Sequence, residues 1–369
     1  MEEHFDQLFY HCVRDLTWTS VPGHCELAKY GSTNAQVFDL AEDGTLDESR
    51  FELVKQVVYL RLQVLQDKPV ADPIKLFIKS EFHKREKILN SRFRLISSVS
   101  LIDGLVDRML FIIFAKKLTG NFANTGICIG YNPQKGGHRF MHNTFPKHTE
   151  KLLVDQTAFD WTYKPWMANV LKNVINDLNM DPHQWWTRAV DNRFKALFDK
   201  PKFVFSDGER IDQPIEGVMK SGCYLTIIAN SIAVLSIHYL SSLRSNNPTD
   251  GIILVQGDDA VQDLPLYLEE YKEAVKTCGV LPKFKTSKSI EFAGFRYEND
   301  IFVPEYRQKH LVALKHLTSD RLDAEMTLNS YLRMYTYEPT MLAYIRSLIA
   351  KRNLPKAHLS DRQLKWFDA

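Results

Sequence analysis

The chain has 369 residues and a formal net charge of +2, and 44% of its residues are hydrophobic while 25% are charged. These proportions exclude large-scale disorder, and the small net charge excludes a polycation that binds nucleic acid over its whole surface. A length above about 300 residues predicts two or three subdomains rather than one core.

The first fifty residues are predicted to be irregular, because turn-forming pairs such as Pro22-Gly23 interrupt them. The acidic start of the chain, MEEHFDQ, does not resemble a secretion signal. Apolar residues at helical spacing then predict a helix over 51–67, which Pro69 ends. The five cysteines are scattered without a close pair, so we expect them to be reduced.

A basic segment follows between positions 72 and 96, where seven lysines and arginines stand against three acidic residues. Residues 76–96 are predicted to form two strands around a charged loop. A local excess of positive charge in a nearly neutral chain favours a polyanion site, although a solvated surface is the plain alternative.

The middle of the chain alternates predicted helices and strands. A short apolar strand, Leu152-Leu153-Val154, leads into Asp155. The other elements predicted from periodicity are helices over 101–118, 166–178, 184–198 and 222–243, a hairpin with strands 202–205 and 213–215, and a strand over 251–256 that leads into a turn.

The last part is predicted to contain a helix over 266–277, a hairpin over 289–303 and a mostly helical remainder from about 307. The resulting order of strand, helix, helix, strand, turn, strand, helix and strand is consistent with a ferredoxin-like α+β core. The apolar run 227–240 is too short and too polar to span a bilayer, so we expect a buried helix and no transmembrane segment.

Acidic side chains follow two of the apolar strands. Asp155 follows the first, and Asp258 and Asp259 follow the second after Gly257, which permits a tight turn. If the two strands are neighbours, the carboxylates converge and two Mg²⁺ ions could bind between them and substrate phosphates. Taken singly, each site has a plain alternative as a cap or turn residue.

A third pattern precedes the long helix. Ser221-Gly222 predicts a bend, and Thr226 and Asn230 are four residues apart, so they share one helix face. A hydroxyl and an amide near a carboxylate, for which Asp160 is the candidate, suit recognition of a ribose 2′-OH. The plain alternative is a helix N-cap and a satisfied core asparagine.

Together these patterns resemble positive-strand RNA virus polymerases, and most closely the sobemovirus type. The matching motifs, in chain order, are Thr19-Ser20-Val21-Pro22-Gly23 (motif G), Lys79-x-Glu81 with Lys87 and Arg94-Leu95-Ile96 (F), Asp155 with Asp160 (A), Ser221-Gly222 with Thr226 and Asn230 (B), Gly257-Asp258-Asp259 (C) and Ser289 to Tyr297 (E). The joint occurrence of ordered motifs is far more specific than any one of them.

The resemblance implies a right-hand α+β fold with an antiparallel, ferredoxin-like (RRM-like) palm. The implied domains are fingers at 1–145, palm at 146–180, a fingers insertion at 181–212, palm again at 213–304 and thumb at 305–369.

The resemblance also implies roles for single residues. Asp155, Asp258 and Asp259 would bind two Mg²⁺ ions, with Mn²⁺ as a substitute, and Lys285 or Lys288 would donate a proton to the leaving pyrophosphate. The implied nucleotide-binding residues are Asp160, Ser221, Gly222, Thr226, Asn230, Lys79, Lys87 and Arg94. The implied template and primer contacts are Ser20, Gly23 and Phe292.

The function implied is RNA-directed RNA synthesis that replicates a positive-strand viral genome. The implied partners are an RNA template, the product duplex, nucleoside triphosphates, and other viral replication proteins or a protein primer. The implied location is the host cytoplasm, in a replication complex that partners attach to membranes. A reverse transcriptase and an inactive palm that serves as an RNA-binding scaffold are the alternatives.

Overall fold

The computed structural model describes residues 2–83 and 85–368, so Lys84 of the basic segment lies outside the described residues. The helices are α1 Glu2–Arg14, α2 Asn34–Val37, α3 Glu48–Leu65, α4 Arg85–Leu89, α5 Leu101–Thr119, α6 Phe122–Thr125, α7 Gly137–Thr144, α8 Phe159–Thr162, α9 Pro165–Asp177, α10 Gln184–Phe198, α11 Thr226–Arg244, α12 Leu268–Thr277, α13 Arg307–Lys315, α14 Arg321–Met334, α15 Pro339–Lys351 and α16 Asp361–Asp368.

The strands are β1 Ile74–Ile78, β2 Leu95–Ser98, β3 Lys151–Gln156, β4 Lys202–Val204, β5 Arg210–Asp212, β6 Ile253–Gln256, β7 Asp259–Asp263, β8 Pro282–Ser287, β9 Ile290–Phe292, β10 Phe295–Glu298 and β11 Ile301–Pro304.

The chain forms two compact units. The first consists of Met1–Asn121, Thr157–Ile237 and Thr277–Leu281, and the second consists of Phe122–Gln156, His238–Lys276 and Pro282–Ala369. The fingers, palm and thumb boundaries stay a prediction, and residues 122–145, predicted as fingers, belong to the second unit.

The first unit is built around α3, which packs against α5 and α10. Its core contains a buried ionic group: Arg193 has no solvent exposure and donates to both carboxylate oxygens of Asp107, at 2.6 and 3.0 Å. Such a charge is tolerated in a core only because it is paired and hydrogen-bonded. A four-stranded sheet in the order β2-β1-β4-β5 completes the unit.

The second unit contains an antiparallel sheet in the order β6-β7-β3-β8. In the chain, α8 to α11 and the hairpin β4-β5 lie between β3 and β6, whereas α12 alone lies between β7 and β8. A smaller sheet, β11-β10-β9, supplies buried aromatic rings to the core. The helices α13 to α16 have their own apolar cluster, centred on Leu328, Leu332 and Ile345.

Four long helices were predicted close to where they occur. The expected ranges 51–67, 101–118, 166–178 and 184–198 correspond to α3, α5, α9 and α10. Their apolar faces repeat over at least three turns, which is the condition under which periodicity is informative.

The prediction that residues 1–50 are irregular is wrong at its start, where α1 forms and packs against α5. Phe9, Cys12 and Val13 have no solvent exposure, so they form one apolar helical face. The turn-forming residues lie after α1, so they do not interrupt its three-turn apolar pattern.

Two other boundaries differ from the prediction. The hairpin's second strand is β5 rather than 213–215, because the side-chain amide of Gln213 donates to backbone carbonyls of Ile215 and Gly217. The long helix begins at Thr226 rather than at 222, because residues 217–223 form a bonded loop described below.

Strand β8 was not predicted at all. Its sequence, PKFKTS, has few apolar residues, and the strand lies at the edge of its sheet with no buried position. The predicted hairpin over 289–303 is instead the three-stranded sheet of β9, β10 and β11. Edge strands carry weak hydrophobic signals because one side needs no burial.

One helix among the described residues, α11, is long and apolar enough to cross a membrane by length and composition alone, with mean hydropathy 1.4. Within the protein 61% of that stretch is buried, and a core helix passes the same test.

Candidate active site

The carboxylates at the end of the central sheet lie together. Strands β3 and β7 are antiparallel with Val154 opposite Ala260, so Asp155 and Asp259 follow at the same end of the two strands. Gln256 pairs with Asp259, which leaves Gly257 and Asp258 as a two-residue hairpin loop. Gly257 has φ 66°, as the first central residue of a type II′ turn requires.

The charges of these three carboxylates act on one another. Partial burial, followed by the negative charges of Asp258 and Asp155, raises the pKa of Asp259 to about 6. The backbone N–H of Ala293 donates to the Asp259 carboxylate and opposes this shift. Uncompensated negative charge at the end of a buried strand is costly, and a bound cation would relieve it.

The donor set fits Mg²⁺. Within the described part of the chain, no group of three or more His, Cys, Asp or Glu side chains is arranged so that it could hold a metal ion by itself. Mg²⁺ in phosphoryl-transfer sites is typically held by one or two carboxylates together with substrate phosphates and waters, so a complete protein cage is not required.

A lysine that the sequence analysis did not single out contacts this group. The register of β3 and β8 places Lys283 opposite Asp155, and its Nζ lies 3.2 Å from Asp155 Oδ2. Lys285 instead forms an ion pair with Glu291 at 2.5 Å, and Lys288 is exposed. The contact of Lys283 with Asp155 depends on the register of β8, a strand that the sequence did not predict.

Tyr306 is a second neighbour that the sequence did not indicate. Partial burial, then the charges of Asp259, Asp155 and Asp258, raise the pKa of its phenol. A Cβ atom added to Gly294 would lie 3.3 Å from the Tyr306 ring, so a glycine here leaves room for the ring.

In the first unit, the predicted ribose-reading pair is in contact. Asn230 Nδ2 donates to Asp160 Oδ1 at 3.2 Å, and Asn230 is 7% exposed. Burial raises the pKa of Asp160, while the hydrogen bond from Asn230 and the charge of Arg94 lower it. Asn230 Oδ1 is buried and has no hydrogen-bond partner within the described residues.

The residues just before α11 form hydrogen bonds with the backbone of neighbouring segments. Ser221 Oγ accepts from the Ser97 N–H at 3.0 Å, and the Gly222 N–H donates to Ser97 O at 3.0 Å. A Cβ on Gly222 would lie 2.6 Å from Ser97 O, so only glycine fits there. The Thr226 hydroxyl bonds to the loop carbonyl of Lys220 at 2.7 Å.

The basic segment forms the expected pair of antiparallel strands, β1 and β2, with α4 between them. Lys79 Nζ and Arg94 Nη1 both approach Glu81, at 3.3 and 3.8 Å. Lys87 lies on α4 and is exposed, and the Arg94 side chain is 62% exposed. These cations therefore face solvent and are accessible to a polyanion.

The three predicted template and primer residues differ in accessibility. Ser20 is exposed, and Gly23 has φ 70° and packs against the backbone of Ser100. Phe292 is 3% exposed and belongs to the apolar core of the second unit. The side chain packs inside the protein, which leaves only the Phe292 backbone for the predicted primer contact, and that contact stays a prediction.

Comparison with known proteins gives concordant results. A family model described as viral RNA-dependent RNA polymerase matches residues 28–316. The chain is 31% identical over 267 residues to replicase polyprotein P2AB of Cocksfoot mottle virus, which covers 64% of the chain and 25% of the polyprotein. It is 28% identical over 306 residues to protein P1-P2 of Potato leafroll virus, and the match covers 76% of the chain and 27% of that protein.

The matched segment thus spans about a quarter of the length of these curated relatives. Among solved structures, the Sicinivirus 3Dpol RNA-dependent RNA polymerase aligns with TM-score 0.72 and 14% identity, covering 98% of this chain and 83% of the other. At this identity the likeness concerns the fold, and it confirms the predicted α+β right-hand class.

Proposed function

Since the chain belongs to the viral RNA-dependent RNA polymerase family, we propose that it copies an RNA template by adding nucleoside triphosphates to the 3′-OH of a growing RNA. The observation that carries this proposal is the meeting of Asp155, Asp258 and Asp259 at one end of the sheet β6-β7-β3-β8. Templated nucleotidyl transfer needs mainly positioning and charge neutralisation, which these groups can supply.

In this proposal Asp155 and Asp258 hold two Mg²⁺ ions, with Asp259 beside them and Mn²⁺ as a substitute. When bound, the ions would activate the attacking 3′-oxygen and neutralise the leaving pyrophosphate. The raised pKa of Asp259 supports this role: burial and, after it, the negative charges of Asp258 and Asp155 disfavour its carboxylate, and a bound dication would offset both. The hairpin loop holds Asp258 at a fixed place relative to the strand.

Asp160 and Asn230 are proposed to read the ribose of the incoming nucleotide. The buried Oδ1 of Asn230, which has no partner in the described residues, is an acceptor suited to the proton of a 2′-OH. A deoxyribonucleotide would leave that acceptor unpaired, which is the physical basis of strong discrimination. Ser221, Gly222 and Thr226 are proposed to support this pair.

Lys79, Lys87 and Arg94 are proposed to bind the triphosphate. Their exposure supports this role, since an ammonium or guanidinium group that faces solvent can pair with phosphate oxygens. Ser20 and Gly23 are proposed to lie along the template path.

The proton donor to pyrophosphate is proposed to be Lys283, with Lys285 and Lys288 as the candidates from sequence. The ion pair of Lys283 with Asp155 supports this choice, because it brings an ammonium to the reacting end of the sheet. Lys285 is paired with Glu291.

The proposed setting is replication of a positive-strand RNA genome in the host cytoplasm, with other viral replication proteins or a protein primer as partners. The relatives' names, replicase polyprotein P2AB among them, support a role in viral replication, and the location and partners are part of the proposal.

The direct test is extension of a primed RNA template by the purified chain and its Asp258→Asn variant. Wild type should incorporate ribonucleotides in Mg²⁺ or Mn²⁺. The variant should lose at least about 10³-fold in rate, because an amide lacks the charge that binds the metal. Asp300→Asn is the matched control, since the Asp300 side chain is 70% exposed in a turn.

The same assay separates the alternatives. A reverse transcriptase would extend the primer with deoxyribonucleotides at least as well as with ribonucleotides. An inactive scaffold would bind the RNA and extend nothing. Near-normal activity of Asp258→Asn would refute the assignment of the metal ligands.

A further inference from the structure

The loop of residues 217–223, here called the 217–223 loop, has a strained backbone. Gly217 has φ 87° and Val218 has φ 51°. Glycine tolerates this region, but a β-branched residue there is a genuine outlier and persists only when its surroundings hold it. The strain therefore requires a specific group that stabilises the loop.

That group is the side chain of Lys220, which is 1% exposed. Its Nζ donates to the carbonyl oxygens of the two strained residues, Gly217 at 2.9 Å and Val218 at 2.7 Å. The ammonium also lies 5.2 Å from the ring centre of Phe198. Burial lowers the pKa of Lys220 to about 7. A lysine buried at this cost and bonded to backbone carbonyls determines the path of that backbone.

The 217–223 loop bonds to every element that carries a predicted ribose-reading group. Its Met219 N–H donates to the backbone carbonyl of Asp160 itself, at 2.7 Å. The backbone carbonyl of Lys220 accepts from Thr226, the first residue of α11, which carries Asn230. The loop therefore links the backbone of Asp160 to the start of the helix that holds its partner.

The contact between the pair is sensitive to small movements. Asn230 Nδ2 and Asp160 Oδ1 are 3.2 Å apart, at the outer limit of N–H···O bonds. A displacement of the loop by a few tenths of an ångström would break this bond and reorient the unpaired Asn230 Oδ1.

We propose that Lys220 is a positioning residue for nucleotide selection. Its buried ammonium holds the 217–223 loop in the strained conformation that keeps Asp160 and Asn230 in register. This inference rests on the proposed function, in which that pair reads the ribose. Lys220 touches no substrate in this role and acts through the loop.

The test is Lys220→Met, which keeps the length and apolar stem of the side chain and removes the ammonium. The readout is the ratio of kcat/KM for a ribonucleotide to that for the matching deoxyribonucleotide. Any fraction of misfolded enzyme cancels in this ratio. We expect the ratio to fall about fivefold, the equivalent of one typical hydrogen bond. The KM for the ribonucleotide should rise more than kcat falls.

Lys151→Met is the matched control. Lys151 is also buried, at 3% exposure, and its Nζ donates to backbone carbonyls of Pro146, Thr149 and Lys288. The control should also lose stability, because it removes a buried ammonium that bonds to backbone carbonyls. It should keep the wild-type ratio of kcat/KM values. An equal fall in Lys151→Met, or an unchanged ratio in Lys220→Met, would overturn the proposal.

A second variant addresses the strain and any failure to fold. Glycine adopts φ 51° without cost, so Val218→Gly added to Lys220→Met should restore folding and part of the lost discrimination. A folded double variant whose ratio stays as low as that of Lys220→Met would contradict the strain argument.

Failure of this inference is distinguishable from failure of the proposed function. Asn230→Ala is the benchmark. If wild type prefers ribonucleotides and Asn230→Ala loses that preference while Lys220→Met retains it, only the role of Lys220 falls. If wild type makes no RNA, the proposed function itself falls.

Discussion

Among single residues, Lys283 forms an ion pair with Asp155 that is largely exposed to solvent. Its side chain is 67% exposed and that of Asp155 is 53% exposed. An ion pair with this much solvent contributes roughly 0–1 kcal/mol to folding, because water and salt screen it. The pairing across β3 and β8 therefore contributes little to stability, and we expect its larger effect to be on the reactivity of the site.

Replacement of Lys283 by methionine should lower nucleotide incorporation about 10²-fold, the lower range for loss of a positioned general acid. The free energy of unfolding should change by less than about 1 kcal/mol. Single-turnover incorporation at saturating nucleotide, together with urea denaturation, measures the two effects.

Lys285→Met and Lys288→Met are the controls for this prediction. Both remove one positive charge from the same part of the chain, but Lys285 is paired with Glu291 and Lys288 is exposed beyond β8. A larger loss in either control than in Lys283→Met would reassign the proton donor to that lysine, one of the two candidates from the sequence.

At the scale of elements, the C-terminal half of α11 is joined to α12 and β7 by a buried polar chain. His238, 6% exposed, lies with Nδ1 3.0 Å from the Tyr271 hydroxyl, which donates to Gln262 Oε1 at 3.0 Å. The phenolic proton is thus used, so Nδ1–H of a neutral imidazole is the donor to Tyr271. Burial lowers the pKa of His238 to about 4.

The buried hydrogen bonds of His238 predict a defined pH dependence of the free energy of unfolding. His238 stays neutral in the folded state down to about pH 4 but protonates near 6.5 when unfolded. The contribution of neutral His238 to the free energy of unfolding is complete above pH 6.5. As the pH falls towards 4 this contribution is lost, by roughly 3 kcal/mol in total. His238→Gln should flatten this acid limb in urea denaturation at pH 7, 5.5 and 4.5.

The exposed His4 on α1 supplies the control, His4→Gln, which should leave the acid limb as in wild type. An acid limb of equal slope in wild type and in His238→Gln would show that other groups cause it.

Elements also show what the sequence could predict. Long helices such as α5 and α10 are predictable because their buried apolar positions recur over several turns. The acidic turn at 257–259 was found because glycine and aspartate have strong turn preferences. Strand β8 could not be predicted, because an edge strand needs little apolar character. Without β8 the contact of Lys283 with Asp155 could not be predicted either.

Phe292 shows what a sequence motif cannot predict about the direction of a side chain. Phe292 was assigned to a primer contact from its place in a motif, yet its strand alternates buried and partly buried positions and turns the ring inward. Position in a motif fixes the backbone, whereas the direction of a side chain depends on strand register, which the sequence leaves open. The same limit hid Lys220, whose burial depends on the strained 217–223 loop.

Over the whole molecule, positive charge is concentrated although the net charge is small. Residues 72–96 carry seven basic and three acidic side chains, and residues 305–369 carry eleven basic and seven acidic ones, against a total of +2. The remainder of the chain is therefore acidic on balance. RNA binding by such a molecule should be local and strongly salt-dependent, because each neutralised phosphate releases counterions.

The variant Lys87→Ala/Arg94→Ala should therefore reduce the salt dependence of RNA binding. For single-stranded RNA the loss of two phosphate contacts should make the slope of log K against log salt concentration less negative by about 1.4. The control is Lys272→Ala/Lys276→Ala, which removes the same charge from α12, where Glu269 and Glu273 already pair with these lysines. Fluorescence anisotropy of a labelled RNA between low and moderate salt measures both slopes. Equal slopes for the two double variants would mean that net charge alone, rather than the basic segment, controls binding.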